Sequence, residues 1–379
     1  MVEAATYISG PYATMMLADL GASVVKVEPP RGDPYRRWGR PETEFSAFFA
    51  ATNRGKQDVV LNLKDDAGRQ RLLGLLDEAD VFVCNWRPDA AARLGLADAS
   101  LVGRNPGLIR TYVTGYGPDG PSAGEPAFDT VVQARSGMAA ALGRGDQPVL
   151  ASGYPIDKLT AVMVAQAVLA ALVGRARTGR GERVDISMLD VACYLNLPDL
   201  LVNRVLLDHQ PADPRNLHAL ALRAVPASDG WIVLAPASAA ALRRACEAMG
   251  HPEWAPEVLA APGQDGMIEA LINLMSGVTR SLSVEDLLAR FRSHDVAAAR
   301  CVGIDEHLSD PQVLHNDVYR VDDDPRVGRV RSARYPAVFS SWGRLRSRHG
   351  APGLGQDGSV ATVTFNSPDN GNKWARAQE

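Results

Sequence analysis

The chain has 379 residues, 46% of them hydrophobic and 22% charged, with a formal net charge of −4. That balance describes a soluble globular protein of about two or three domains with ample material for large cores. It supplies no global basic field for nucleic acid or an anionic membrane, so a polyanionic ligand has to be met by local Lys and Arg.

The four cysteines, Cys84, Cys193, Cys246 and Cys301, are far apart and form no CxxC pair. This argues against zinc and against a disulfide framework, and it fits a reduced, cytoplasmic compartment. Met1-Val2-Glu3-Ala4-Ala5 carries no basic leader, and the apolar run from Leu159 to Val173 is shorter than a secure membrane span, so neither a signal peptide nor a transmembrane helix is expected. All seven histidines lie from His209 onward, which leaves Asp, Glu or Lys to do acid–base work in the first half.

In chain order, Gly10-Pro11 opens a helix with Pro at the first helical position and Gly21 just past its end, and Ser23 to Glu28 reads as a buried strand. A second unit follows: strand Asp58 to Leu63, helix Asp66 to Asp77, strand Asp80 to Asn85, and then strand Leu108 to Val113. Strands alternating with helices predict an α/β fold with a Rossmann-like parallel sheet. Gly115 to Pro126 is a Gly- and Pro-rich loop that delivers Phe128 and Asp129 to a helical segment ending at Leu142.

Gly153-Tyr154-Pro155-Ile156-Asp157 then opens a helix that is apolar on all sides and therefore reads as a core element, closed by Arg177-Thr178-Gly179-Arg180-Gly181. Asp157 stands alone at its mouth. Asp is a favoured N-cap, and a carboxylate kept ionised at a helix start is also a competent nucleophile. Glu182 to Leu197 extends the large domain, Asp208 to Arg215 resembles a linker, and from about Val225 a smaller α+β domain begins. Its elements are strand Trp231 to Leu234 and helices Ala239 to Met249, between Ser238 and Gly250, and Val284 to Phe291. Val327 to Arg334 alternates as a half-exposed strand, and Gly350 to Gly358 is a loop.

The helix after Gly10 and the strand ending in Glu28 imitate a dinucleotide-binding unit, but the remaining glycines of that fingerprint are missing. Arg36, Arg37, Arg54, Lys56, Lys64, Arg87 and Arg93 recur at or after strand ends, where an open α/β sheet binds ligands, and so suggest a phosphorylated ligand.

Taken in order, Ala18-Asp19-Leu20-Gly21, Val25 to Pro30, Gly32-Asp33-Pro34, Asn53-Arg54-Gly55-Lys56, Leu61-Asn62-Leu63-Lys64, Asn85 to Gly95, Gly115-Tyr116-Gly117, Asp129, Asp157, Thr178 to Gly181, Val184 to Asp190 and Asp229-Gly230-Trp231 resemble the family III CoA-transferases. This CaiB/BaiF group includes formyl-CoA transferases and α-methylacyl-CoA racemases. The resemblance implies a large Rossmann-like domain over residues 1–200, a linker over 201–224, a small α+β domain over 225–318, a segment over 319–379 that returns to the large domain, and an interlocked homodimer. It implies Asp157 as the nucleophile of an acyl-CoA:carboxylate CoA-transferase. Coenzyme A and acyl-CoA are substrates, with no permanently bound cofactor and no metal.

Contacts to coenzyme A carry over to Ser9, Leu61, Asn62, Lys64, Asn85, Trp86 and Arg93, with Arg36 as an additional phosphate ligand and Phe128 and Asp129 also counted among the coenzyme-binding positions. The racemases use a His just before the acid matching Asp129, and here that residue is Phe128. Ala219 to Arg223 stands where formyl-CoA transferases carry a glycine-rich loop, which disfavours oxalate and formate and points to a bulkier, less polar acid. A racemase and a non-catalytic CoA-binding subunit are the alternatives.

Overall fold

The computed structural model describes residues 1–39, 43–143, 147–198, 200, 201, 204–209, 223–340, 343 and 344. These fall into two compact units, the first comprising Met1–Ser136, Leu150–Leu195 and the described residues from Asn316 onward, the second Gly137–Val149 and Asn196–His315. The linker expected over 201–224 and the loop at Gly350 to Gly358 lie largely or wholly outside the described residues.

The first unit is built on six strands, β1 (Val2–Ala4), β2 (Val25–Glu28), β3 (Gln57–Val60), β4 (Val81–Cys84), β5 (Ile109–Thr114) and β6 (Arg183–Ser187). They pair in the order β3-β2-β1-β4-β5-β6, every neighbour parallel. A parallel sheet is covered on both faces, so a central strand such as β4, Val81-Phe82-Val83-Cys84, reads as a continuous apolar run, while the charged residues of β1 and β2 need partners inside the protein. All four residues of β4 are buried.

Helices α3 (Asp66–Asp77) and α5 (Asp98–Arg104) cover one face through Leu72, Leu76 and Leu101. Helices α1 (Ser9–Asp19) and α8 (Pro155–Thr178) cover the other through Ala13, Leu17, Ala161, Val164 and Val168. Two shorter helices, α2 (Ala47–Asn53) and α4 (Pro88–Arg93), lie in the connections before β3 and after β4. The strand order reverses beside β1, so the crevice for ligands of this architecture opens at the carboxyl ends of β1 and β4.

Helix α1 begins at Ser9, two residues before Pro11, because the missing N–H of a proline is harmless anywhere in the first turn. Gly10 is required by packing, since a Cβ there would lie 2.5 Å from that of Ala5. The segment after Asp129 is two helices, α6 (Asp129–Arg135) and α7 (Met138–Leu142), interrupted at Gly137, whose φ is +83°.

Helix α8 departs from the sequence reading. It has 24 residues, enough to span a bilayer by length alone, and it is not buried all round. Val162, Leu169 and Val173 are 47%, 43% and 65% exposed, because among the described residues the buried face of α8 is the one packed on α1 and the sheet. Its last turn is held as expected: Gly179 takes the left-handed conformation that ends the helix, and Arg175 bonds Asp80 Oδ1 at 2.8 Å and the Gly107 carbonyl at 3.1 Å.

In the chain from Asn316, β10 (Tyr319–Asp324) and β11 (Gly328–Ala333) form an antiparallel hairpin of the first unit. Arg326 stacks over Phe45 there, and Val330 packs on the same cluster.

The second unit is α+β, with a three-stranded antiparallel sheet of β7 (Val225–Pro226), β8 (Trp231–Leu234) and β9 (Ala298–Arg300). Ile232, Leu234, Leu242, Leu271, Met275, Leu287 and Phe291 form its core. Ser238 caps the helix Ala239–Ala248 by accepting from Ala241 N at 3.2 Å, and Ser283 caps Val284–Ser293 through Asp286 N at 3.1 Å.

Candidate active site

The chain enters α8 through two left-handed residues, Gly153 (φ +83°) and Tyr154 (φ +55°), which turn it sharply into Pro155. Asp157 is therefore the third residue of the helix and not its cap. Tyr154 holds the cap position, with no side-chain cap bond. The carboxylate, 9% exposed, is directed to the start of α1, where the Ser9 hydroxyl donates to Oδ1. Two helix N-termini thus converge on one carboxylate near the point where the strand order reverses.

Burial raises the Asp157 carboxyl from an ordinary 3.8 to about 6, and Asp129 adds like-charge repulsion, while the Ser9 hydrogen bond and Lys158 pull it down. At neutral pH it is mostly ionised but more basic than a surface aspartate. An acid limb near pH 6 is therefore expected in kcat/KM, and Ser9→Ala, which removes a bond to the ionised form, is expected to move that limb to higher pH; an unmoved limb would show that Ser9 does not act on Asp157.

The same shift is a cost to folding. A carboxyl whose folded pKa is raised destabilises the native state above that pKa, and the cost disappears below the unfolded value. Asp157→Asn should accordingly stabilise the protein by roughly 1 to 3 kcal/mol at pH 7 to 8, a gain that fades as the pH falls from about 6 toward 3.8. Urea titrations across that range measure it.

Asp129, expected among the coenzyme-binding positions, is 1% exposed and uses both oxygens inside the protein. Oδ1 accepts from Gln133 Nε2, and Oδ2 accepts from the Asp157 backbone N–H at 3.0 Å. Phe128 is 54% exposed, its ring edge-on to Tyr7 at 5.4 Å. Tyr7 also meets Tyr35 and Trp38 edge-on at 6.2 and 6.1 Å, so an aromatic group borders the same end of the sheet. Tyr35 has its phenol pushed up by burial and then by Tyr154, Asp157 and Asp33, which places this group close to the Asp157 charge.

The expected coenzyme A positions are spread along the carboxyl edge. After β4, Asn85 bridges to the loop after β1, donating to Thr6 O at 2.8 Å and accepting from Thr6 N at 3.1 Å. Trp86 is half-buried and lines a cavity of about 190 Å³ with Tyr112 and Thr114. After β3, Leu61 is core, and Asn62 closes a turn onto Lys64 N at 3.2 Å and Asp65 at 2.7 Å. Lys64, Arg87 and Arg93 are exposed on this side.

Arg36 lies elsewhere: it is 3% exposed, its guanidinium forked on Glu28 at 2.8 and 2.7 Å and stacked over Phe49. A phosphate contact there would require that pair to open. Arg54 and Lys56 are likewise internal, paired with Asp19 and Glu3.

Sequence reasoning missed a fully buried ionic network beneath α1. Lys26 Nζ meets Glu3 Oε1 at 2.7 Å, Asp33 Oδ2 at 2.9 Å and the Ala5 carbonyl at 2.9 Å. Lys56 Nζ meets Glu3 Oε2 and the Pro11 carbonyl, both at 2.7 Å, and Thr14 donates to Glu3 at 2.5 Å. The signal was present in Val25-Lys26-Val27-Glu28: charges on a strand covered on both faces demand buried partners.

Comparison with known proteins agrees with this geometry. The sequence model of CoA-transferase family III matches residues 1–358. The chain is 32% identical to the succinate–glutarate CoA-transferase of Agrobacterium fabrum, over 94% of this chain and 92% of that protein. It is 30% identical to the acetyl-CoA:oxalate CoA-transferase of Acetobacter aceti, over 97% and 95%. Among solved structures, Rv3272 from Mycobacterium tuberculosis superposes with a TM-score of 0.80 at 28% identity, covering 95% of this chain and 97% of that one. A CaiB/BaiF family protein from Brucella suis gives a TM-score of 0.78 at 28% identity, covering 93% and 94%. An all-parallel sheet reversing beside β1, a carboxylate held at that point, and likeness along nearly the whole chain lead to one conclusion: the chain belongs to CoA-transferase family III, enzymes whose substrates are CoA thioesters.

Proposed function

We propose that this protein transfers coenzyme A between organic acids with Asp157 as a covalent nucleophile. The observation that carries this reading is the Asp157 carboxylate itself, buried at the meeting of two helix starts and held at Oδ1 by the Ser9 hydroxyl. Oδ2 attacks the thioester carbonyl, the C–S bond breaks, and CoA thiolate leaves an aspartyl anhydride. The thiolate then attacks the aspartyl carbonyl, releasing the first acid and leaving an aspartyl-CoA thioester. An incoming carboxylate attacks that thioester to form a second anhydride, and the thiolate takes its acyl group, restoring Asp157. No proton changes hands, which suits a site whose nearest other carboxyl group is fully engaged.

Coenzyme A is held in this reading by the carboxyl edge, with Lys64 and Arg93 toward phosphates and Ser9, Leu61, Asn62, Asn85 and Trp86 as neutral contacts. The aromatic group of Tyr7, Trp38 and Phe128 supports an acid larger and less polar than oxalate. The exposed apolar stripe of α8, with Tyr194 and Leu195 beside it in sequence order on α9 (Met188–Asn196), supports a second copy as its cover, and light scattering on the purified protein should give the mass of a homodimer. The isomerase alternative has neither a His at position 128 nor a disengaged carboxyl at Asp129.

The test is peptide mass spectrometry after incubation with a panel of acyl-CoAs. A hydroxylamine-sensitive CoA adduct on Asp157 is expected, and its yield ranks the donors. Measurable CoA binding with no adduct from any donor would sink the covalent route.

A further inference from the structure

Gln133 belongs to no motif, yet it is fully buried and spends its whole amide on the approach to the nucleophile. Nε2 donates to Asp129 Oδ1 and to the Ala151 carbonyl at 3.2 Å, and Oε1 accepts from the Ala151 N–H at 2.9 Å. Asp129 passes the constraint on, because its second oxygen holds the Asp157 N–H at 3.0 Å. Between the two pinned points runs the turn containing Gly153 and Tyr154, and a left-handed Tyr is a conformation that persists only when its surroundings impose it.

We infer that Gln133 is a positioning residue: with Asp129 it clamps both ends of the 151–157 turn and so fixes the Asp157 carboxylate against Ser9. The inference rests on Asp157 being the nucleophile. Asp129 acts through the Asp157 backbone and touches no reacting atom. A buried Gln that only completes the core would bond whatever lay nearest, whereas this one bonds both partners that bracket the turn.

The donor and acceptor pattern allows a specific test. Asp129→Asn places an amide N–H against Gln133 Nε2, and Gln133→Glu places a carboxylate against Asp129. The double variant restores the donor–acceptor pair between positions 129 and 133 but leaves the Ala151 carbonyl, which took its bond from Gln133 Nε2, facing a carboxylate oxygen; the carbonyl of the amide introduced by Asp129→Asn can still accept from the Asp157 N–H. Each single change is expected to lower kcat about 30-fold or more while the KM for acyl-CoA stays within about threefold, and the double variant to lose clearly less than the product of the two single losses. In the unmodified protein, deuterium uptake of a peptide spanning 152–158 should be strongly slowed at the Asp157 amide, a measurement that stands even where a variant does not fold.

Single variants with parental kcat, losses that merely add in the double, or a freely exchanging Asp157 amide would overturn the clamp while leaving the transfer reading intact. A parent enzyme that forms no Asp157 adduct with any donor removes the transfer reading and the clamp's role with it.

Discussion

Asp157→Ala is expected to abolish CoA transfer, lowering kcat by about 10⁴-fold or more, because in the proposed route this residue forms both covalent intermediates. Asp129 is fully engaged, and the first 208 residues contain no histidine. Ser9, the hydroxyl bonded to Asp157, has lost the carboxylate that accepts its proton. Binding of CoA should change little, since the carboxyl edge around Asn85, Trp86 and Arg93 is untouched. The fold should not suffer either, because a buried charge with a raised pKa has been removed. Calorimetric CoA titration, melting and adduct mass spectrometry on one preparation separate the three effects, and turnover within about tenfold of the parent would end the proposed mechanism.

Asp157→Glu refines the same argument. The added methylene moves the carboxylate about 1 Å or more, and a misplacement of that size costs on the order of 10²-fold in a preorganised site. Such a variant should retain slow adduct formation, which the alanine variant cannot.

How much of this was legible beforehand depended on whether the signal was local. Strands β2 to β5 and helix α3 were readable because apolar β-branched runs between turn residues specify short buried strands. Asp157 stood out as a candidate because an isolated acid opens a long apolar helix. Its depth, its bond to Ser9 and its position as third residue were not readable, because they depend on contacts across 148 positions of sequence. The exposed stripe of α8 was misread for a related reason: composition shows that a helix is apolar all round, and only topology shows which faces one chain can cover. The burial of Arg36 was hidden because a cation after a strand reads the same whether it faces a phosphate or, as here, pairs with Glu28. Gln133 carried no signal at all, since a Gln inside a helix is ordinary until its partners are known.

Lys26→Met is expected to destabilise the protein by about 3 to 5 kcal/mol, among the largest effects open to a residue outside the site. The side chain is fully buried in β2 and bonds Glu3, Asp33 and the Ala5 carbonyl. Met fills the same volume, so the loss is electrostatic: two buried carboxylates remain, with Lys56 as the nearby ammonium. Adding Glu3→Gln removes the stranded charge, and the double variant should lose clearly less than the sum of the two singles.

The pH dependence has a definite sign. Burial pushes Glu3 up, but Lys26 and Lys56 outweigh it and bring the carboxyl from 4.5 down to about 2, so its contribution is complete above pH 4.5 and is lost as the pH falls toward 2. Without Lys26 the folded pKa rises, and acid unfolding should begin at higher pH than in the parent. The damage also reaches the site. Asp33 holds Tyr7 N at 3.2 Å and Lys26 holds the Ala5 carbonyl, and these residues form the loop that delivers Ser9 to Asp157. Residual activity of the folded Lys26→Met fraction should therefore show its acid limb displaced toward that of Ser9→Ala. A variant with parental stability and an unmoved limb would mean that the network neither holds the sheet nor sets the loop.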